Sequence, residues 1–310
     1  MAHAATAPQQ AAARAERHAA REAIAERLIR ASNQKSFNPE IDVDWSAPLE
    51  PGMFFMPEHR VSLYGTPTWD RLSREQRVEL SRHELASIAS VGIWFEVVLM
   101  QLLTRHIYDR PPTTDHVRYA LVEIGDECRH SVMFSRFIEK LGCPPYGPGR
   151  LAHTLGRILK TTAAGPEVFA AVLIAEEILD TLQREQMIDP TVQPLTRRIS
   201  QIHVVEEARH VRYAREELRR SMAVASGPTR AIARLVAARS AYVISRRLIH
   251  PDVYAAVGLD PVAAHREALA NPARRESLRW AASRLVREFG EVGLLHGPGL
   301  VLWRRSGLLG

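Results

Sequence analysis

The sequence predicts an all-α protein built around a bundle of four long helices. Four long segments carry apolar residues at helical spacing and are bounded by capping residues, glycines or prolines. In addition, one arrangement of glutamate and histidine side chains occurs twice along the chain. The chain has 310 residues, of which 46% are hydrophobic, and this is enough for one large helical domain with a buried core.

The N-terminal segment is rich in alanine and predicts a helix at about 8–32. Charged side chains interrupt it every few positions, so it lacks the uncharged core of a signal peptide. We expect residues 1–35 to form a helical extension and residues 36–310 to form a single domain. Residues 36–68 contain prolines and aromatic side chains without a helical period, and we expect this segment to wrap over the bundle.

The four core helices have recognisable ends. Residues 73–76 have the form of a capping box, Pro111 and Pro112 stop the first core helix, and Pro166 suits the first turn of the third. A segment at 147–164 is long enough to cross from one end of the bundle to the other. Two helix pairs joined by such a crossover form the ferritin-like topology. The core helices are predicted at about 73–108, 114–141, 166–187 and 192–223.

Further helices are predicted after the bundle, at about 228–248, 260–270 and 272–292. They exceed what a four-helix core requires. Extra helices of this kind often close a substrate pocket, and we expect them to do so here.

The repeated side chains are those that bind two metal ions in helical bundles. The second set follows the first by 80 positions (96 to 176, 127 to 207, 130 to 210). In each Glu-x-x-His pair the two residues lie on one helical face, so both can reach one ion. Carboxylate and imidazole together suit iron or manganese, and paired ions lie about 3.5–4 Å apart. The candidate ligands are Glu96, Glu127, His130, Glu176, Glu207 and His210.

A third histidine breaks the repeat. His203 lies four residues before Glu207 and seven before His210, so it projects from the same helical face. The equivalent position in the first half is Glu123. His203 is therefore a seventh candidate ligand, and the participation of Glu123 stays open.

Two further assignments are open at the level of sequence. Glu177 competes with Glu176 for the third carboxylate, and the spacing of 80 residues selects Glu176. Asp126 and Glu206 also match across the repeat. They suit either the carboxylates that orient metal-bound histidines or buried ion pairs with Arg129 and Arg209, which match in the same way. We keep both interpretations.

Composition limits the remaining possibilities. The net charge is +6, yet the basic residues are interleaved with acidic ones and form no aromatic-interleaved motif for nucleic acids. An acidic partner such as a ferredoxin or a carrier protein fits this charge. Only Cys128 and Cys143 are present, which favours a reducing cytoplasm over a disulfide-rich secreted protein. Apolar runs such as 91–103 are too short to span a bilayer, so we expect a soluble chain without a membrane partner.

The seven residues in this order resemble the p-aminobenzoate N-oxygenase family, and the similarity extends from about Tyr64 to the C-terminus. The resemblance implies a ferritin-like fold, commonly a homodimer, with two iron ions, although manganese is also possible. It implies that the reduced site uses O2 as co-substrate and electrons from a ferredoxin or reductase. The expected reaction oxidises a small aryl amine to the hydroxylamine, nitroso or nitro product. The implied metal ligands are Glu96, Glu127, His130, Glu176, His203, Glu207 and His210.

Other functions remain as alternatives. Side chains next to the candidate ligands are apolar, and no cationic group is placed to hold an aryl carboxylate; these side chains include Ile88, Val91, Leu99, Leu179 and Leu182. A di-iron hydroxylase or desaturase that acts on C–H bonds of an apolar or carrier-tethered substrate is therefore the alternative. Iron storage is disfavoured by the extra helices. Radical storage is disfavoured because Phe134 stands where a tyrosine would be needed.

Overall fold

The computed structural model describes residues 7–310. The described chain is 76% helical and contains no β-strand, which confirms the predicted all-α class. Short 3-10 turns lie at Glu58–Arg60, Pro251–Val257 and Gly297–Gly299. The α-helices in this part of the chain are α1 (Ala7–Gln34), α2 (Pro39–Asp42), α3 (Pro67–Arg71), α4 (Arg74–Ile107), α5 (Asp115–Leu141), α6 (Gly149–Thr162), α7 (Pro166–Gln186), α8 (Pro194–Val224), α9 (Gly227–Arg247), α10 (Pro261–Ala270), α11 (Pro272–Ala281), α12 (Ser283–Glu291) and α13 (Leu300–Ser306).

Helices α4, α5, α7 and α8 form the bundle. Helix α4 packs along α5 and α7 packs along α8, and α6 connects the two pairs. The predicted capping box is present, because the hydroxyl of Ser73 accepts from the N–H of Gln76 and the Gln76 side chain accepts from the N–H of Ser73. Helix α5 ends at Gly142, whose φ of 65° is the left-handed conformation that favours glycine. The arrangement is consistent with a ferritin-like helical bundle.

Helix α4 is apolar, and it lies inside the bundle. It contains an 18-residue window with a mean hydropathy of 1.7, so the helix is longer and more apolar than the short runs considered above. By length and composition alone it could cross a membrane. However, 67% of that window is buried inside the protein. This burial is typical of a core helix in a soluble protein.

Helix α1 packs along α5 and α8. Its Arg21 forms an ion pair with Glu217 of α8, with Nε of Arg21 donating to Oε1 of Glu217 over 2.7 Å. Both side chains are buried. Burial acts to raise the pKa of the Glu217 carboxyl, but hydrogen bonds with His106 and Arg220 and the charge of Arg21 hold this pKa below its usual range. Residues 1–6 of the predicted N-terminal extension lie outside the described residues.

The structure corrects three details of the predicted elements. The helix expected at 272–292 is two helices, because Ala282 leaves helical geometry (φ −89°, ψ 0°) without a proline or glycine to mark the break. Helix α13 was not predicted. Residues 36–68 run over the bundle as expected, but they contain short helices. Their contacts include the N–H of Glu50, which donates to the side chain of Gln193 at the start of α8.

Candidate metal centre

All seven predicted ligands lie on the inward faces of the four core helices. Each is at most 3% exposed to solvent. The helices supply them unequally, because α8 carries three and α4 and α7 carry one each. Their positions are Glu96 on α4, Glu127 and His130 on α5, Glu176 on α7, and His203, Glu207 and His210 on α8.

The structure brings these side chains together in three overlapping groups. Within each group the available oxygen or nitrogen atoms lie within 4.8 Å of one another, which is close enough to hold a metal ion. Every predicted ligand belongs to at least one group, and His130, His203 and Glu207 each belong to two. The groups are Glu127–His130–Glu207–His210, Glu96–His130–His203 and Glu176–His203–Glu207.

Glu127 stands between two histidines. Its Oε2 lies 2.8 Å from Nδ1 of His130, and its Oε1 lies 2.8 Å from Nδ1 of His210. Burial alone would raise the pKa of Glu127, but His210 and His130 outweigh it and hold this pKa well below its usual range. In turn, the pKa of His130 rises to about 9, because Glu127 outweighs the opposing effect of burial. The protons on Nδ1 of His130 and His210 therefore neutralise the charge of Glu127. A metal ion would take the place of these protons.

The outer nitrogens of these two histidines are held by carboxylates from the opposite helix. Nε2 of His130 on α5 donates to Oε2 of Glu206 on α8 over 2.9 Å. Nε2 of His210 on α8 donates to Oδ2 of Asp126 on α5 over 3.1 Å. This reciprocal pairing turns both Nδ1 atoms toward the centre of the cluster. It is the geometry in which a carboxylate fixes the tautomer of a metal-binding histidine.

Asp126 and Glu206 are also paired with arginine, so the two sequence interpretations hold together. Asp126 accepts from Arg129 and, over 3.3 Å, from Arg209. Glu206 has Nη2 of Arg209 3.8 Å from its Oε1, and it accepts from the backbone N–H of Phe37 over 3.0 Å. The arginines neutralise the carboxylates while the carboxylates orient the histidines.

His203 is held differently from the other two histidines. Its Nδ1 donates to Oε1 of Gln183 on α7 over 2.6 Å. Its Nε2 has no hydrogen-bond partner in the described part of the chain and lies 3.7 Å from Oε1 of Glu96 and 3.9 Å from Oε2 of Glu207. Burial holds the pKa of His203 well below its usual range, so Nε2 presents a lone pair to the cluster. The sequence analysis missed Gln183, although its position seven residues after Glu176 placed it on the same helical face.

Several buried ligand atoms lack a hydrogen-bond partner among the described residues, and the cluster is able to hold a metal ion. They are Oε2 of Glu96, both side-chain oxygens of Glu176, Oε1 of Glu207 and Nε2 of His203. Burial, together with the neighbouring carboxylates, raises the pKa values of Glu96 and Glu176 well above the ordinary range. Buried polar atoms are normally hydrogen-bonded, and buried charges are normally paired or bound to metals. Hard oxygen ligands with imidazole nitrogen suit iron or manganese.

The two competing glutamates occupy different surroundings. Glu177 binds Arg215, with Nε of Arg215 donating over 2.8 Å to Oε1 of Glu177, and it belongs to none of the three groups. Glu176 faces the cluster and has no partner among the described residues.

Glu123 is buried and also lies outside the three groups, so a surface position is excluded for it. Burial raises the pKa of Glu123 well above its usual range.

A small cavity touches the cluster at Glu96 and His203. Its volume is about 30 Å³, and because one buried water needs about 10–15 Å³ it has room for roughly two waters. Ile88, Leu179 and Leu182 line it as predicted, but Val91 and Leu99 do not. Val91 projects about 140° around α4 from Glu96, and Leu99 lies in the hydrophobic core beyond the cluster. No lysine or arginine is among the described residues that line the cavity.

The C-terminal helices do not line this cavity, and the expectation that they cover a pocket on the bundle is met elsewhere, by α9. All of its lining residues belong to the four core helices. Helix α9 instead lines a larger cavity of about 470 Å³ on the outer side of α4, together with α6 and α7. That cavity touches none of the seven predicted ligands. The reason is that α9 packs against the side of α7 that faces away from the cluster.

Comparison with known proteins gives one family. The family model described as p-aminobenzoate N-oxygenase AurF matches residues 18–293, which is most of the chain. Among curated proteins, uncharacterized proteins of Mycobacterium tuberculosis and Mycobacterium bovis are each 29% identical over 204 residues. The matched region is 63% of this chain and 59% of each relative, so it spans about three fifths of their length.

Proposed function

The chain belongs to the p-aminobenzoate N-oxygenase family, and from this premise we propose that it is a di-iron oxygenase that oxidises the nitrogen of an apolar amine. The family is one of di-iron arylamine N-oxygenases. The observation that carries the proposal is the convergence of the seven predicted ligands in three overlapping groups, with buried ligand atoms left unpaired. A ferredoxin or reductase as electron donor, a homodimer and a cytoplasmic location are part of the same proposal.

The residues of the proposed site have different roles. Glu96, Glu127, His130, Glu176, His203, Glu207 and His210 would hold the two ions. When bound, the iron supplies the activation of O2. Asp126 accepts the Nε2 proton of His210, and Glu206 accepts that of His130. Gln183 accepts the Nδ1 proton of His203. For the first oxidation the balance is RNH2 + O2 + 2 electrons + 2 protons → RNHOH + H2O, and the external donor provides the electrons.

The cavity supports a neutral substrate. Its lining contains apolar side chains with Gln183, Gln186 and Ser200, but no cation that would pair with a carboxylate. An uncharged aryl amine therefore suits the lining better than p-aminobenzoate does. Since the cavity is about 30 Å³, the substrate has to displace side chains such as Phe134 and Phe137 when it enters.

The reaction type can be tested with labelled oxygen. We expect the iron-loaded protein, given a chemical reductant and 18O2, to place 18O on the nitrogen of a neutral aryl amine. Turnover with p-aminobenzoate should be at least about 10-fold lower, because desolvating an unpaired carboxylate is costly. Mass spectrometry of the products measures both. Oxygenation or desaturation at carbon alone, with no amine oxidised at nitrogen, would contradict the proposal and favour the C–H alternative, which the apolar lining also fits.

Gln183 provides a test of the third histidine. We expect Gln183→Leu to weaken binding of one of the two ions about 10–100-fold, the usual effect of losing a group that orients a ligand. Gln183→Glu keeps the acceptor for Nδ1 of His203 and should restore the affinity. Anaerobic calorimetric titration with Fe²⁺ or Mn²⁺ measures this, independently of activity.

Gln186 is the matched control for this experiment. It lies on the same helix and lines the same cavity, but it accepts from the hydroxyl of Ser200 over 3.1 Å rather than from a histidine. Gln186→Leu should leave metal affinity unchanged. Equal affinity in the Gln183→Leu and Gln186→Leu variants would remove His203 from the proposed ligand set.

A further inference from the structure

A second cavity, remote from the metal centre, is lined by arginine. It has a volume of about 390 Å³ and lies among α9, α10, α11, α13 and the last residues of the chain. Apart from the arginines, its lining consists of Ser306, Gly307 and two leucines. The arginines are Arg246, Arg274, Arg275, Arg279, Arg304 and Arg305. We call this space the arginine cavity.

Among the described residues, no carboxylate side chain contacts the arginines of the arginine cavity. No acidic residue lines it, and none of its six arginines has a carboxylate within 4.0 Å among the described residues. Their recorded contacts are with neutral groups. Arg274 donates to the carbonyl of Ser245 over 2.6 Å, and Arg246 lies 5.3 Å from the ring centroid of Tyr242. Because guanidinium groups stay protonated at any physiological pH, the cluster repels itself.

Another arginine-rich cavity in the same chain shows the contrast. It has a volume of about 330 Å³, and Asp180 and Glu216 line it together with its arginines. There, Nε of Arg184 donates to Oδ2 of Asp180 over 2.7 Å. Arginine is abundant throughout this chain, so abundance alone does not explain a cavity that lacks acidic partners.

The surroundings of the arginine cavity respond to its charge. His265 on α10 has its pKa lowered to about 4 by burial and by the nearby Arg274, Arg247 and Arg246. Glu84 on α4 acts on Arg274 as an opposite charge, but burial raises the pKa of Glu84 to about 7. It is therefore only partly ionised at neutral pH and offsets little of the positive charge.

We propose that the arginine cavity binds a small molecule that carries two or more phosphate groups, such as a nucleoside diphosphate. Arginine binds phosphate oxygens through paired N–H donors, and several arginines suit several phosphates. The volume lies within the range of small-molecule sites, about 300–1,000 Å³. The concave shape favours a small ligand over the flat face of an acidic protein.

The position of the arginine cavity makes this site independent of the metal centre. Glu84, which acts on Arg274, precedes Glu96 by 12 residues on α4. At about 1.5 Å per residue this is roughly 18 Å along the helix. The phosphates therefore bind away from the place where oxidation is proposed, and the inference does not depend on the proposed reaction.

Titration calorimetry of the full chain with adenosine diphosphate tests the proposal. At 0.15 M salt we expect micromolar binding, with pyrophosphate similar and orthophosphate at least about 10-fold weaker. The double variant Arg275→Gln/Arg305→Gln should bind adenosine diphosphate at least about 100-fold more weakly, because each substitution removes a charge-assisted hydrogen bond to phosphate.

The control is Arg212→Gln/Arg284→Gln, which removes the same charge from the other arginine-rich cavity and should leave binding unchanged. Circular dichroism establishes that both double variants fold, and Arg305→Gln alone serves if the double variant does not. Binding of adenosine diphosphate weaker than millimolar, or equal loss in both double variants, would overturn the proposal. Binding of polyglutamate without binding of either phosphate probe would assign the cavity to an acidic protein instead.

Discussion

Replacing Glu127 with alanine is expected to remove metal from both positions of the centre. Its two oxygens each lie 2.8 Å from Nδ1 of a different histidine, His130 and His210, so the change affects both halves of the repeat. Metal content should fall from about two ions per chain to less than one. Amine oxidation should fall more than about 100-fold, beyond the range for residues that only orient ligands.

Glu177→Gln is the matched control for this variant. Glu177 is also a buried glutamate on a core helix, but it pairs with Arg215 rather than with the cluster. It should keep two ions per chain. Metal analysis by plasma mass spectrometry, with circular dichroism to establish folding, measures the outcome. Two ions per chain in Glu127→Ala would contradict the assignment of Glu127 as a metal ligand.

The second large effect concerns stability. Without metal, Glu96 and Glu176 keep protons at pH values where the unfolded chain has lost them, because their folded pKa values are raised. The raised pKa of His130, about 9, acts in the same direction. Stability present at lower pH is then lost as the pH rises above the ordinary glutamate pKa, and the raised pKa of His130 extends the loss to about pH 9. The loss is about 1.4 kcal/mol per pH unit for each proton that the folded state retains.

Bound metal should reverse this dependence of stability on pH. Ligands must be deprotonated to bind a metal ion, so binding tightens as the pH rises. Mn²⁺ at 100–1,000 times its dissociation constant should add about 2.7–4.1 kcal/mol to the free energy of unfolding. Urea unfolding at pH 7 and pH 9, with and without Mn²⁺, measures both effects. The same decline with pH in both conditions would show that the buried carboxylates do not bind the ion.

The sequence was sufficient for the bundle and for the residues of the cluster. The long helices have caps and stops that local chemistry dictates, as at Ser73 and Gly142. The spacing of 80 residues placed Glu176 in the cluster rather than Glu177, and the structure shows Glu176 there. Such signals are visible because they depend on residues close together on one helix.

Features that depend on contacts between helices were not predictable. The repeat shows that Asp126 and Glu206 occupy equivalent positions, but only the packing of the helices shows that each carboxylate orients a histidine of the opposite helix. The break at Ala282 has no local marker in the sequence. The arginine cavity joins α9, α10, α11 and α13, so no single stretch of sequence reveals it.

Anomalous diffraction at the iron absorption edge from crystals of the iron-loaded protein tests the central claim most directly. We expect two peaks about 3.5–4 Å apart among α4, α5, α7 and α8. Together they should be coordinated by Glu96, Glu127, His130, Glu176, His203, Glu207 and His210. Nε2 should be the coordinating atom of His203, and Nδ1 that of His130 and His210. A single peak, or peaks outside this cluster, would contradict the claim that the repeated side chains form a di-iron centre.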